Sequence, residues 1–304
     1  MTHEITLDEA YAACRAIARR EAKNFYYAFI ALPLPRRNAI CAIYAFMRRA
    51  DDLADDESLP REERRIRLDV WLNDWRDVCK GGDSADPVFL AVCDATKRFG
   101  IPLSLLDELV AGVTLDLKLT ASDVPDTYAT FADLYRYCYL VASVVGLVCI
   151  RIFGYQDHSA EKLAEETGIA FQLTNILRDV AEDAERNRVY LPLSDLAAYG
   201  ISLDSLLHHT HGTPPTADER ALLKDIAQRA EAFYQSGHAL MPLIDRESRP
   251  ALWVLVSIYH ALLKRIEKAD YDVFSRRASV PIGVKLWILA MGWARMGWAR
   301  LSFW

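Results

Sequence analysis

Glycine and proline are scarce in this chain, 13 and 12 of 304 residues. With so little punctuation, long helices are favoured over many short strands, which need a turn between each pair. No stretch of useful length alternates apolar and polar residues as a half-buried strand would. No linker rich in Pro, Gly or Ser divides the chain, so the expected fold is a single all-α domain over 1–304. Cysteine is limited to Cys14, Cys41, Cys79, Cys93, Cys138 and Cys149, none in a Cys-x-x-Cys pair and most in apolar helical contexts. They read as reduced core thiols. The N-terminal residues MTHEITLDEAYAACRAIARR carry no apolar core of the signal-peptide kind, and a cytoplasmic location is the expectation. Positive charge is not in excess: 36 Lys and Arg against 42 Asp and Glu leave a net charge of -6. That argues against nucleic acid as a bulk partner, and an anionic ligand would have to meet local cations or a metal.

What is present starts with residues 168–192, GIAFQLTNILRDVAEDAERNRVYLP. At 100° per residue, Ile169, Leu173, Ile176, Leu177 and Val180 form an apolar stripe, and Ala170, Phe171, Thr174 and Ala181 cover much of the opposite side. Such a helix should be buried, yet Gln172, Asn175, Asp179 and Asp183 share one narrow sector. Burying two carboxylates without partners costs several kcal/mol, so something cationic must face them. A second stretch, residues 36–56, places Tyr44, Arg48, Asp51 and Asp55 in one sector of an otherwise apolar helix. Asp52 and Asp56 fall on a neighbouring, solvated flank. Carboxylates one turn apart, about 6 Å along the axis, are hard oxygen ligands suited to holding Mg2+ together with a substrate's phosphates. One Asp-x-x-x-Asp pair is a weak signal. Two pairs, each continuing a polar stripe on an apolar helix, are a much stronger one.

NFYYAF at 24–29, YAFMRRADDLADD at 44–56, YCYLVASVVG at 137–146, QLTNILRDVAEDAERNRVYLP at 172–192 and YDVFSRR at 271–277 together resemble the squalene/phytoene synthase family of head-to-head prenyl-diphosphate condensing enzymes. The resemblance spans nearly the whole chain. It implies an all-α isoprenoid-synthase bundle around a deep apolar cavity, with Mg2+ held by Asp51, Asp55, Asp179 and Asp183 and by Asn175 as a further polar contact. By the same match, Phe25, Tyr44, Arg48 and Tyr137 would act in catalysis, and Arg48, Gln172, Asn175, Arg178, Tyr259 and Arg276 in substrate and diphosphate binding. Where the family commonly reads Val-Ala-Gly, this chain has Val141, Ala142 and Ser143. The motifs stand nearer the bacterial squalene-pathway branch, so two farnesyl diphosphates condensing to presqualene diphosphate, with onward conversion to squalene as an extension, is the expected reaction. The alternative is phytoene synthase acting on geranylgeranyl diphosphate. NADPH use stays open: no Gly-x-Gly-x-x-Gly follows a strand, though the family's reducing members are not known for that fingerprint. A non-catalytic member of the fold, such as the complex I assembly factors, would be marked by loss of the acidic pairs, and all four aspartates are present. A chain-elongating prenyltransferase would carry Asp-Asp-x-x-Asp as its second motif, which NILRDVAED does not.

Elsewhere, residues 7–22, 86–99, 217–240 and 249–269 have helical periodicity, residues 61–80 read as an amphipathic surface helix, and Ser122 to Thr127 reads as a turn. Asp107, Glu108 and Asp116 are expected as solvated charges. The apolar run within 130–153, bounded by Asp133, Arg136 and Arg151, is expected as a core helix rather than a bilayer span. His208, His209 and His211 lack companions at ligand spacing and read as a solvated loop. The C-terminal segment mixes Trp287, Trp293, Trp298, Phe303 and Trp304 with Lys285, Arg295 and Arg300. That composition suits contact with a membrane surface and equally a last helix capping the core.

Overall fold

The computed structural model describes residues 5–56, 58–115, 126–209 and 212–301. Asp116, Ser122 to Pro125, His211, Phe303 and Trp304 lie outside them, as do the side chains of Trp298 and Arg300. The fold is all-α. In chain order the helices are α1 Leu7–Glu21, α2 Lys23–Phe29, α3 Leu34–Ala54, α4 Arg61–Cys79, α5 Pro87–Phe99, α6 Leu103–Leu115, α7 Phe131–Cys138, α8 Val144–Phe153, α9 Ser159–Glu185, α10 Leu193–Ala198, α11 Leu203–Leu207, α12 Ala217–Leu240, α13 Arg249–Lys268 and α14 Ile282–Leu301. The strands are two residues each: β1 Asp126–Thr127 pairs in parallel with β2 Arg188–Val189, in register Asp126 to Arg188 and Thr127 to Val189. The last two residues of the turn expected at 122–127 are therefore strand.

Local signals account for several boundaries. Thr6 and Glu9 form a capping box at α1, and Thr216 with Glu219 does the same at α12. Gly100, in the left-handed region at φ 59°, closes α5. α9 is the longest helix and packs against α12, α8, α13 and the π turn before α8. Its stripe Ile169, Leu173, Ile176, Leu177 and Val180 is buried, as periodicity requires, and so are Ala170 and Thr174 on the other side. Thr174 is satisfied there, donating to the Ala170 carbonyl at 2.8 Å and meeting the Tyr234 hydroxyl of α12 at 2.9 Å.

Three expectations are corrected. The helix laid over 168–192 stops at Glu185, because Asn187 turns into the left-handed region at φ 58° and the chain then pairs with β1. α3 stops at Ala54, leaving Asp55 as its cap. His209 is not a solvated loop residue: its ring stacks on Phe274 at 3.9 Å and lies 3.6 Å from the buried Glu219 carboxylate.

Residues 131–153 run as one helix through α7, a π turn at Tyr139–Ser143 and α8, long and apolar enough by composition to cross a membrane. Here that apolar surface packs on α9 and α6. The approach to α9 is close. A Cβ on Gly168 would stand 2.6 Å from Ser143 Cα and 2.9 Å from the Ala142 carbonyl carbon. Ser143, the residue that departs from Val-Ala-Gly, is fully buried, and its hydroxyl donates to the Glu165 carbonyl at 2.7 Å. The glycine that this crossing demands is thus contributed by α9.

α14 covers α13 and α2 with Ile288, Leu289 and Gly292, and Arg295 lies 4.5 Å from the Trp253 ring centre. Its other side leaves Ile282, Leu286, Trp287, Met291 and Trp293 exposed.

Gly168→Ala should lower stability by about 1–3 kcal/mol through this backbone clash, read as a fall in denaturation midpoint with unchanged m-value. Gly283→Ala, where nothing lies within 4 Å, should cause no such loss.

Candidate active site

A cavity of about 340 Å3 lies between α2, α3, the π turn with α8, α9 and α13. That volume falls within the range of small-molecule sites. One end carries Tyr44 and Asp51 from α3 and Gln172 and Asn175 from α9. From there the lining is apolar: Met47, Val141, Val145, Ile150 and Phe153, then Ala164, Leu240, Leu252 and Leu255. Ala164 and Asn175 are eleven residues apart on one helix, so the cavity runs about 16 Å along α9. The two polar stripes seen in the sequence therefore border one cavity, and both lie at the same end of it.

Aromatic rings form a continuous band along this wall. Tyr44 packs edge-on against Phe29 at 5.9 Å, Phe29 stacks with Phe25 at 6.5 Å, Phe25 lies 5.6 Å from Tyr259, and Tyr259 stacks on Phe171 at 4.5 Å. Burial pushes the Tyr44 and Tyr259 hydroxyls up to about 12, so both stay neutral and able to donate.

The acidic motifs differ. On α3, Arg48 pairs with Asp52 at 2.6 Å, and Asp55 is exposed. On α9, Asp179 is 17% exposed and is held by two arginines. Arg178 binds both its oxygens, with Nε to Oδ1 at 2.7 Å, and Arg277 reaches the same Oδ1 at 2.8 Å and Glu182 at 3.2 Å. The expected cations are thus present, among the described residues, for Asp179 alone. Asp183 has no hydrogen bond or ion pair among the described residues. Burial, with the Asp179 charge beside it, pushes its carboxyl up to about 7. Asn175 donates weakly to Gln172 Oε1 at 3.4 Å, while its own Oδ1 is buried without a partner.

Of the residues singled out in the sequence, the structure brings Phe25, Tyr44, Asp51, Gln172, Asn175 and Tyr259 to the cavity wall and places Arg48, Asp55, Arg178, Asp179 and Asp183 along the same two motifs. Two fall elsewhere. Tyr137 is buried in a stack with Tyr190 at 4.9 Å and Tyr128 at 5.2 Å, away from the cavity lining. Arg276 is exposed in an outer recess, and its neighbour Arg277 makes the contact to Asp179. Sequence reasoning also passed over Phe29 and Phe171. The signal for Phe171 was its place beside Gln172 on a helix with no solvated side.

The sequence profile described as squalene/phytoene synthase matches residues 18–283. Phytoene synthase of Mycobacterium tuberculosis is 36% identical over 276 residues, covering 90% of this chain and 87% of that protein. The 15-cis-phytoene synthase of Synechocystis is 33% identical over 304 residues, covering 95% of this chain and 86% of that one. Among solved structures, a dehydrosqualene synthase in complex with ligand superimposes with a TM-score of 0.82 at 29% identity, covering 96% of this chain and 98% of that chain. A squalene synthase from Alicyclobacillus acidocaldarius does so with a TM-score of 0.78 at 26% identity, covering 88% and 96%. With its acidic pairs intact and its cavity walled in part by aromatic rings, this chain belongs to the squalene/phytoene synthase family of prenyltransferases, which condense prenyl diphosphates head to head.

Proposed function

We propose that this enzyme is a phytoene synthase, joining two molecules of geranylgeranyl diphosphate. The sequence motifs lean towards farnesyl diphosphate. Against that, relatives named phytoene synthase reach 36% identity over nine-tenths of the chain, and this observation carries the reading. The elongated cavity, narrowed by few large side chains between Ala142, Gly146, Ala164 and Gly168, is in keeping with a long tail.

The residues fit magnesium as the ion at the acidic end. Among the described residues Asn175 Oδ1 is buried without a hydrogen-bond partner and Asp183 has no hydrogen bond or ion pair, so oxygen donors stand ready beside Asp179. Asp51, Asp55, Asn175, Asp179 and Asp183 would hold it, the other ligands coming from diphosphate and water. Among the described residues no three His, Cys, Asp or Glu side chains converge as a protein-only cage. Bound there, magnesium would supply positive charge to neutralise a leaving diphosphate.

This chain's own residues do the rest. Arg48, Arg178 and Arg277 add positive charge at that end, and guanidinium forks match diphosphate oxygens. The C–O electron pair leaves with the diphosphate, and the allylic cation that remains faces the rings from Tyr44 to Phe171, whose negative faces stabilise it. Apolar lining excludes the water that would quench it. The second substrate's double bond supplies the electrons of the new C–C bond, and loss of a proton closes a cyclopropyl diphosphate. Departure of the second diphosphate and of one more proton gives a hydrocarbon without any reductant, so this reading requires no NADPH.

A second reading, two farnesyl diphosphates, is favoured by the superposition on dehydrosqualene synthase at a TM-score of 0.82. Purified enzyme given magnesium and geranylgeranyl diphosphate should yield phytoene without NADPH, with little turnover of farnesyl diphosphate. Preferential use of the shorter substrate would exchange the two readings, and product dependent on NADPH would show a reducing step.

The metal site has its own test. Asp51→Asn and Asp179→Asn should each cut turnover by roughly two to three orders of magnitude while retaining helical circular dichroism, and EDTA should abolish activity until magnesium is restored. Near-normal turnover in both variants removes these residues from the site.

We further propose that the exposed side of α14 rests on a membrane. The helix has Lys285, Arg295 and Arg300 but no Asp or Glu, and Trp287 and Trp293 are exposed. Trp287→Glu with Trp293→Glu should reduce co-sedimentation with anionic vesicles about tenfold or more, at about 2.5–3.5 kcal/mol or less per buried charge. Equal binding by both forms counts against it.

A further inference from the structure

Outside the cavity, the end of α13 and the segment after it enclose a second concavity of about 450 Å3. Arg265 and Lys268 reach it from the last turn of α13, and Asp272, Arg276, Arg277 and Ser279 from the segment that leads to α14. Four cations against one carboxylate is an unusual collection in a chain of net charge -6. The carboxylate is already engaged, since Asp272 Oδ1 accepts the Ser275 backbone N–H at 3.0 Å.

The segment's course is fixed. Asp270 and Tyr271 both lie in the left-handed region, at φ 53° and 59°, which is uncommon for two successive residues with side chains. Tyr271 N–H closes back on the Ile266 carbonyl at 3.0 Å, and Val273 and Phe274 are buried as anchors. The recess is therefore built by the backbone rather than by a loose arrangement of surface side chains.

Its cations are unequal. Arg277 is committed to Asp179 and Glu182, whereas Arg265, Lys268 and Arg276 have no hydrogen bond or ion pair among the described residues. Favourable charge at a helix C-terminus explains basic residues in the last turn of α13. It does not explain Arg276, which lies beyond the helix, nor why all of them border one concavity. Like charges gathered without counterions are repulsive, and the arrangement is relieved by an anion of several charges.

We propose that this recess binds a diphosphate group, as a site distinct from the cavity and joined to it through Arg277. The inference rests on the function proposed above for the identity of the anion. Arg277 is a wall of the recess and at the same time a partner of Asp179, so one guanidinium touches both the place where diphosphate is cleaved and the place that can receive it. A diphosphate there is either the inorganic ion on its way out or the head of an incoming prenyl ester. Both present the same bridged phosphates to the same forks.

Titration calorimetry of the full chain in EDTA, with inorganic diphosphate as probe and no substrate turning over, tests the recess independently of the reaction. Binding should weaken about tenfold in Lys268→Ala/Arg276→Ala and should fall steeply with added salt. The Lys80→Ala variant, altered at an exposed cation outside both the cavity and the recess, should bind the ion as wild type does. Repeating the titration with geranylgeranyl diphosphate separates the sources: loss of affinity for both ligands makes the recess a port of entry as well, and loss for the inorganic ion alone makes it an exit. No binding by wild type, or equal binding by the double variant, overturns the proposal. Because no step needs catalysis, failure here with turnover intact sinks the recess alone, and binding here without turnover of any prenyl diphosphate leaves the recess standing and sinks the proposed reaction.

Discussion

Asp179 is a carboxylate at 17% exposure on the long helix α9, and its charge is kept there by Arg178 from its own turn and Arg277 from a segment almost a hundred residues away. Removing either guanidinium would leave the other to bear the desolvation of the carboxylate, which is where the large penalties for broken buried pairs arise. This one interaction ties the segment after α13 to α9, and so fixes the acidic end of the cavity. It also separates two aspartates that the sequence presents as equals. Asp179 is held by two arginines while Asp183, one turn on, has no ion pair among the described residues, and burial with the Asp179 charge beside it pushes the Asp183 carboxyl up to about 7. A divalent ion entering here would meet one committed ligand and one waiting ligand, so the motif's two carboxylates make unequal contributions before any ligand arrives.

The buried stripe of α9 and the helical periods of α1, α5, α12 and α13 were legible in the sequence, because each follows from apolar spacing within a single helix, whereas the meeting of the two polar stripes at one cavity was implied only by the family resemblance. What was not legible depends on contacts between segments. The end of α9 at Glu185 is set by pairing of residues 188–189 with 126–127, and no local signal announces a two-residue parallel strand. Periodicity alone could not distinguish Arg276 from Arg277, since both lie outside any helix, where adjacent side chains have no fixed period. Tyr137 sits in an apolar helix as a cavity residue would, yet its ring stacks on Tyr190, whose position depends on the course of the chain after β2. His209 resembled loop polarity until Phe274, far along the chain, covered its ring.

The departure at Ser143 shows how a family pattern can be kept in geometry while its residue changes. The crossing between the π turn and α9 allows no side chain on the α9 partner, and Gly168 meets that need. Ser143 is admitted because its hydroxyl donates to the Glu165 carbonyl, leaving no buried donor unpaired. The local widening of a π turn directs Val141 and Ala142 to the cavity while Ser143 faces the neighbouring helix. Sequence comparison at one position would register a loss, whereas the packing redistributes it.

The same glycines bear on substrate length. Gly146 and Gly168 stand where α8 and α9 nearly touch, with the Ala164 carbonyl 3.0 Å from a Cβ placed on Gly146, and both line the cavity. They cannot be enlarged without separating the helices, so selection cannot easily tune the cavity's width at that level. Its length is different. Ile150, Phe153, Leu240 and Leu252 project from four places in the chain: two on α8, one near the end of α12 and one in the first turns of α13. Each can change size with only local repacking, at the modest cost of volume-conserving core substitutions. Were a prenyl tail to lie along this cavity, the room for a fifteen-carbon or a twenty-carbon chain would be set by these side chains, which belong to no motif, while the polar residues Tyr44, Asp51, Gln172 and Asn175 stand at the opposite end.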